Sequence, residues 1–332
     1  MAVAHLGHAE IRVTDIERSK WFFTEVLGLY VTEENDERVY LRAWQDWDHH
    51  TLILTKSDHA GIEHVGWRVE TPEDMGAYEK QLKELGIEYH WIEGGKEPGQ
   101  GDGLRFLTPG GMPFELYWEV ERFAPQGNLQ KQDDGLASAL PSHPWRYASR
   151  GIGPRRFDHV NFLTDDPGTE QEWMTRELGI HHRYYAESSD GERMASWLSR
   201  TNLSHEIAVQ RNKNQNGALL HHVAYFVDSP DQMLRAATIL ADNGIQIEWG
   251  PGQHGTSGAI FLYCFEPSGN RVEVWTGGFL IFPPDWTPIR WTPEVAELGY
   301  ELWGSAMPDT YLTYGTASHF TNVPQGSVPS PS

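Results

Sequence analysis

Helix-type and strand-type patterns follow one another along the chain in a repeated order. Four segments each contain Thr or Ser, acidic residues in the next turn, amphipathic spacing of apolar residues and a closing Gly, which are signals that start and stop helices. The segments are residues 14–31, 71–88, 164–183 and 229–248. Each follows a short run typical of a β-strand and precedes further strand-like segments. The sequence therefore predicts four copies of a βαβββ module.

The four modules are expected to pair into two domains of an α+β fold. Residues 1–122 hold the first pair, and residues 155–290 hold the second. Residues 123–154 are rich in Gly, Pro, Ser and Gln, which predicts a linker that wraps the surface. Residues 291–332 are expected to form an aromatic-rich tail that packs on the second domain, with a frayed end at "VPQGSVPSPS".

Charge and cysteine content narrow the choice of partners and location. The chain has 26 basic and 47 acidic residues, a net charge of −21, which disfavours nucleic acids and anionic membranes as partners. No apolar run approaches the roughly 20 residues of a membrane span, and the N-terminus lacks the features of a signal peptide. Cys264 is the only cysteine and lies in a strand-like run. We therefore expect it to be a small core residue, and the location to be cytoplasmic.

Three residues of the second half carry metal-binding side chains at equivalent points of the repeated modules. His159 lies in "FDHVNFL", His222 in "LHHVAYF" and Glu273 in "RVEVWT". Two neutral imidazoles and one carboxylate form the facial triad of non-haem Fe(II) oxygenases, which leaves coordination positions open. Because a chain with 16 histidines supplies such triples by chance, the hypothesis depends on their placement in the repeats.

The adjacent histidines of the fourth module have to face opposite ways. Neighbouring residues of a strand point to opposite sides of the sheet, and alignment of the modules matches His159 with His222. We therefore expect His222 to face the metal. His221 is interpreted as a bystander that points into packing or toward a carboxylate.

The longest distinctive segment, "GPGQHGTSGAIFLYCFEPSGNRVEVWTGG" (residues 250–278), resembles a family signature. It is similar to that of the type I extradiol ring-cleavage dioxygenases of the vicinal oxygen chelate superfamily, with catechol 2,3-dioxygenases nearest. The strands "RFDHVNF" and "LLHHVAYF" resemble the two His-ligand strands of that family, and the likeness covers nearly the whole chain. The resemblance implies extradiol (meta) cleavage of a catechol by O2 at Fe(II), with Mn(II) less favoured, to a 2-hydroxymuconic semialdehyde-type product. It also suggests a homotetramer.

The resemblance implies roles for three further residues near the metal. His205, in "LSRTNLSHEIAV", would accept a proton from the substrate and return one. Tyr263 would hydrogen-bond the substrate oxygen on the metal. His254 would reach over the site from a Gly-rich loop and steer the substrate.

The substrate pocket is expected to include Asn161, Trp197 and Trp249. The first two are typical of homoprotocatechuate dioxygenases, but Trp249 stands where that type carries Arg. The segment "TPEVAELGYELWG" also lacks the paired Arg of that type. Since a buried carboxylate without a basic partner is costly, the favoured substrate is catechol or an alkyl- or aryl-catechol. A homoprotocatechuate-type enzyme remains the alternative.

The first half holds a similar triple in His8, His64 and Glu115. The second His and the Glu are 51 residues apart in both halves, from 64 to 115 and from 222 to 273. Either a second metal site or a relic of duplication accounts for this. We favour the relic and a metal-free first domain, because the resemblance implies one iron, in the second domain, and because the first half is interpreted as lacking counterparts of His205 and Tyr263.

Two other classes of function have to be weighed. An isomerase or lyase of the same superfamily uses its metal as a Lewis acid and usually has a more saturated ligand set. A metal-free binding module is usually a single two-module domain without the triad. The one-carboxylate triad and the separate His and Tyr argue against both, and oxygen uptake with a catechol distinguishes an oxygenase from an isomerase.

Overall fold

The computed structural model describes residues 1–123 and 150–318. Residues 124–149, which make up most of the predicted linker, and the predicted frayed end "VPQGSVPSPS" lie outside the described residues. Within those residues, no helix is long and apolar enough to cross a membrane.

The first domain is built on one eight-stranded sheet. Its strands are β1 (Val3–Val13), β2 (Tyr30–Glu34), β3 (Arg38–Arg42), β4 (Leu52–Lys56), β5 (Gly61–Val69), β6 (Tyr89–Ile92), β7 (Gly103–Leu107) and β8 (Pro113–Tyr117). Their spatial order is β2-β3-β4-β1-β5-β8-β7-β6. The two modules therefore meet where β1 pairs with β5.

The second domain repeats this arrangement. Its strands are β9 (Arg156–Thr164), β10 (His181–Glu187), β11 (Arg193–Ser199), β12 (Ile207–Arg211), β13 (Leu219–Phe226), β14 (Ile247–Gln253), β15 (Ile260–Phe265), β16 (Arg271–Thr276), β17 (Ile289–Trp291) and β18 (Thr316–Ala317). The order is β14-β15-β16-β13-β9-β12-β11-β10-β17, and β18 pairs with β13. The predicted α+β fold of four βαβββ modules is thus confirmed.

One helix follows the first strand of each module. The helices are α1 (Ile16–Trp21, continued by a π-helical turn Phe22–Val26), α2 (Glu73–Glu84), α3 (Pro167–Leu178) and α4 (Pro230–Asp242). The side chains of Asp15 and Asp166 cap α1 and α3 by accepting backbone N–H bonds, and Ser229 caps α4. A carboxylate is as good an N-cap as a hydroxyl, so in two helices an Asp one or two residues after the predicted Thr supplies the cap.

The core of the second domain includes the only cysteine. Cys264 on β15 is 1% exposed, and burial raises the pKa of its thiol. It is a core residue, as expected from its strand context.

The chain after β16 returns to the second sheet. β17 pairs in parallel with β10, a short helix α5 (Ala296–Tyr300) follows, and β18 pairs with β13. This return brings aromatic side chains of the tail against the end of the sheet that carries the predicted metal ligands.

Candidate metal centre

Three neighbouring strands of the second sheet bring His159, His222 and Glu273 together. Ala224 on β13 lies opposite His159 on β9 and opposite Glu273 on β16, which fixes the depth of both residues in the sheet. The pairing of β13 with β9 shifts register next to His222, and the side chain of His222 joins the other two there. Each of the three side chains belongs to a residue that is 1% exposed. His222, not His221, contributes the donor atom that joins this group.

The donor atoms form a nearly equilateral triangle. Nε2 of His159 and Nε2 of His222 are 3.2 Å apart, and they lie 2.9 and 3.1 Å from Oε2 of Glu273. Metal–ligand bonds of about 2.1 Å place neighbouring donors on one face of an octahedron about 3 Å apart. The triangle therefore fits a divalent metal with one face occupied by protein and the other open.

Electrostatics keep the carboxylate ionised. Burial raises the pKa of Glu273, but the hydrogen bond from His159 and the other favourable contacts of the site outweigh burial, so that the pKa of Glu273 lies well below the usual range. Asp158 Oδ2 lies 3.1 Å from Nδ1 of His159, on the side away from the triangle. A carboxylate there orients the imidazole and turns Nε2 toward the metal.

His221 is not the bystander that the sequence suggested. Its Nε2 lies 2.5 Å from the carbonyl oxygen of Tyr311, and its Nδ1 lies 2.6 Å from Nδ1 of His222. A carbonyl only accepts, so Nε2–H of His221 donates to it. In the neutral tautomer this makes Nδ1 the acceptor for Nδ1–H of His222. Burial lowers the pKa of His221, which favours that neutral form and leaves Nε2 of His222 with its lone pair toward the triangle.

His205 packs beside the triangle. Its ring centroid is 4.2 Å from that of His159, and its Nδ1 is 2.7 Å from the hydroxyl of Tyr184. Burial, and to a smaller extent His159, lowers the pKa of His205. Tyr184 was not identified from the sequence, because a tyrosine in a strand gives no local signal that its hydroxyl reaches a functional His.

His254 and Tyr263 also meet at the site. His254 Nε2 lies 3.0 Å from the hydroxyl of Tyr263, and its Nδ1 donates to the carbonyl of Tyr300 at 2.5 Å. The hydroxyl of Tyr263 lies 3.2 Å from that of Tyr311. The C-terminal segment thus contacts both His254 and Tyr263. Sequence reasoning missed these contacts because the segment has no counterpart in the repeat.

The site encloses a cavity of about 20 Å³. Its lining comprises His159, Asn161, Trp197, His205, His222, His254, Ser257, Tyr263, Glu273, Trp275, Tyr300 and Tyr311. Such a volume holds about one water, whereas pockets for small molecules usually span about 300–1,000 Å³. The free space at the site, by this volume, is therefore smaller than an aromatic ring.

Two of the three predicted pocket residues line this cavity, and the third does not. Asn161 and Trp197 are in the lining, and Oδ1 of Asn161 is buried without a hydrogen-bond partner in the described part of the chain. Trp249 lies behind Tyr263, with the rings stacked 5.8 Å apart, and its Nε1 donates to the carbonyl of Ser305. Trp249 therefore stands behind the lining rather than in it, because β14 lies one strand further from the triangle than β15.

The first domain also contains counterparts of His205 and Tyr263, which were expected to be absent. His50 precedes β4 at the position that His205 holds before β12, and its ring lies 5.3 Å from that of His8. Arg105 occupies the hairpin position that corresponds to Tyr263. The first equivalence needs the pairing register, since the first His and this His are 42 residues apart in the first half and 46 in the second. The second could have been found from the sequence, since Arg105 and Tyr263 each precede the Glu of their half by 10 residues.

Comparisons with known proteins show the same organisation. Residues 156–274 match the Glyoxalase/Bleomycin resistance protein/Dioxygenase superfamily, and residues 62–121 match the catechol 2,3-dioxygenase-like N-terminal domain.

Two relatives are similar over nearly their full length. The chain is 41% identical to manganese-dependent 2,3-dihydroxybiphenyl 1,2-dioxygenase of Geobacillus genomosp. 3, over 92% of this chain and 95% of the relative. It is 36% identical to metapyrocatechase of Geobacillus stearothermophilus, over 95% and 94%. The crystal structure of homoprotocatechuate 2,3-dioxygenase from Arthrobacter globiformis superimposes with a TM-score of 0.83 at 29% identity, over 95% of this chain and 92% of that one.

Proposed function

The chain belongs to the extradiol ring-cleaving dioxygenases of the glyoxalase/dioxygenase superfamily, and from this premise we propose that it cleaves an uncharged catechol at Fe(II) held by His159, His222 and Glu273. The observation that carries the proposal is the buried triangle of two imidazole nitrogens and one carboxylate oxygen with edges of 2.9–3.2 Å. A metal bound there would hold the catechol oxygens and O2 on its open face and pass electron density between them.

His205 is suited to exchange protons with the substrate. The hydroxyl of Tyr184, 2.7 Å from Nδ1, can donate or accept, so it can hydrogen-bond either tautomer of His205. Nε2 is then free to take a proton from the substrate hydroxyl and to release it later. Because the ring packs on that of His159, this exchange takes place next to the metal ligands.

Tyr263 and His254 orient the substrate. The contact between His254 Nε2 and the Tyr263 hydroxyl fixes the position of that hydroxyl at the cavity, where it can hydrogen-bond a catechol oxygen. Asn161 offers an amide with a buried, unpartnered oxygen on the same strand as His159. These groups supply polar contacts in an otherwise aromatic lining and exclude bulk water.

The lining also indicates the substrate class. Among the described residues that line the cavity there is no Lys or Arg. Arg271, a buried residue of β16, donates from Nε and Nη2 to the two carboxylate oxygens of Glu248, and its Nη1 donates to backbone carbonyls. A substrate carboxylate would enter this site without a cationic partner, and such burial is costly. A neutral ring substituent can be buried without this cost.

We therefore predict that kcat/KM for 4-methylcatechol exceeds that for homoprotocatechuate by about 100-fold or more. The reason is the cost of burying the unpaired carboxylate, of which about 1.4 kcal/mol corresponds to each factor of ten. Steady-state oxygen uptake measures both, with catechol, 3-methylcatechol and 2,3-dihydroxybiphenyl as further neutral substrates. A higher kcat/KM for homoprotocatechuate would contradict the assignment to uncharged catechols.

The choice of Fe(II) rests on relative affinity. The donor set suits both Fe(II) and Mn(II), but nitrogen and oxygen sites generally bind Fe(II) more tightly. Mn(II) is the second candidate, because the Geobacillus genomosp. 3 relative is named as manganese-dependent. After removal of metal by a chelator and anaerobic reconstitution, we expect higher kcat with Fe(II). Activity with Mn(II) but not with Fe(II) would make Mn(II) the first candidate.

We further propose a homotetramer in the cytoplasm. Exposed apolar side chains such as Leu280, Phe282 and Leu302 give the C-terminal segment a surface suited to subunit contacts. The single cysteine is compatible with a reducing compartment. Light scattering on the eluted protein measures the assembly, and a monomeric mass would contradict it.

A further inference from the structure

The first domain contains a second cluster of metal-binding side chains. It consists of His8, His64, Glu97 and Glu115, hereafter the first-domain cluster. Each of these residues is at most 3% exposed. Glu97 was not identified from the sequence. It comes from the loop between β6 and β7, which corresponds to the loop that carries His254 in the second domain.

Distances within the first-domain cluster suit four donors around one cation. The Nε2 atoms of His8 and His64 are 2.8 Å apart. Glu97 oxygens lie 3.5 Å from each Nε2, and Oε1 of Glu115 lies 4.0 and 3.9 Å from them. A tetrahedral ion with bonds of about 2.0–2.1 Å separates its donors by about 3.3 Å. The distances in the cluster, 2.8–4.0 Å, lie on both sides of that value.

The surroundings of the cluster orient its donors as the second sphere of a metal site does. Oε2 of Glu10 lies 3.0 Å from Nδ1 of His64, which turns Nε2 of that ring toward the other donors. Arg105 binds one oxygen of Glu97 and one of Glu115. Carboxylate–histidine pairs and hydrogen-bonded ligand carboxylates are the usual support of bound metals.

One donor atom has no other use within the described part of the chain. Oε2 of Glu97 is buried and has no hydrogen-bond partner, and it lies 3.5 Å from Nε2 of His8. An unpaired buried carboxylate oxygen costs several kcal/mol unless a cation or a proton donor approaches it. The side chain therefore points into a position that a metal ion would satisfy.

We propose that the first-domain cluster binds a second divalent cation of the Zn²⁺ class in a closed, structural site. Four protein donors satisfy a tetrahedral ion, whereas the three donors of the second domain leave positions open for reactants. Arg105 stands where Tyr263 stands in the second domain, so the position that would hold a substrate oxygen carries a guanidinium bound to ligand carboxylates. This proposal replaces the earlier preference for a metal-free relic.

Metal counting on the full-length protein tests the proposal. Wild type, His222→Ala, His64→Ala and the double variant are stripped with a chelator, equilibrated with Zn²⁺ and analysed by mass spectrometry of the metal. We expect two, one, one and zero Zn²⁺ per chain. One Zn²⁺ in wild type together with none in His222→Ala would overturn the proposal, and this comparison does not require any first-domain variant to fold.

A stability measurement separates the site from the catalytic function. Zn²⁺ binding to the folded form raises the thermal midpoint. We expect Zn²⁺ to raise Tm of His222→Ala, which lacks the catalytic centre, and to have a much smaller effect when Glu97→Gln is added. Equal shifts in the two proteins, or no shift in either, would contradict the first-domain site. Neither result depends on ring cleavage.

Discussion

Replacing His222 with Ala is expected to reduce ring cleavage to background and to remove the catalytic metal, whereas His221→Ala should keep the metal with about 10–100-fold weaker affinity. Nε2 of His222 is one of three donor atoms of the buried triangle. His221 acts from behind it, through the 2.6 Å contact between the two Nδ1 atoms. Loss of a donor leaves two ligands, but loss of its support only frees the ring to rotate.

Titration of each stripped variant with Fe(II) under anaerobic conditions measures the two affinities. His221→Gln is the matched control, because its amide can still accept from Nδ1–H of His222 while it donates to the carbonyl of Tyr311. We expect this variant to recover part of the lost affinity. If His221→Ala lost the metal and His222→Ala kept it, the assignment of the donor strand would be wrong by one residue.

Replacing His205 with Gln is expected to lower kcat by about 10²–10⁴-fold with unchanged metal content, which is the usual loss when a general acid–base is removed. Gln is polar and of similar length, but it cannot take up and return a proton. The His205 ring contacts the ring of His159 without contributing a donor to the triangle. The metal should therefore stay bound.

Tyr184→Phe is the control for position. It removes the hydroxyl 2.7 Å from Nδ1 of His205 but leaves the imidazole in place. We expect a loss smaller than that of His205→Gln, measured as kcat with saturating 4-methylcatechol. Full activity of His205→Gln would show that another group carries the proton.

The repeat allowed much of the fold and the metal ligands to be predicted from the sequence. Helix signals recur with the same strand pattern, so residues at equivalent points, such as His159 and His222, could be matched before any contact was known. Glu273 follows because β16 takes the same place beside β13 that β8 takes beside β5. Periodicity fixes which face a side chain uses, and three adjacent strands then bring the ligands together.

Residues outside the repeat could not be predicted in the same way. Tyr300 and Tyr311 reach the cavity from the C-terminal segment, whose path depends on packing of the whole second domain. Glu97 lies in a loop rich in Gly, where no periodicity indicates direction. The position of Trp249 behind Tyr263 could not be predicted, because alternation gives the face of a strand but not its distance from the site. His221 was misread because a side chain that points away from the metal still contacts its ligand neighbour.

Extradiol cleavage is proposed to take place at the triangle of His159, His222 and Glu273. The most direct test reconstitutes the stripped enzyme with Fe(II) under anaerobic conditions, adds 4-methylcatechol and then a known amount of O2, and records O2 consumption together with the yellow ring-opened product. We predict one O2 consumed for each molecule of product, and neither signal in His222→Ala. No O2 uptake by the reconstituted wild type, or equal uptake by His222→Ala, would contradict the claim.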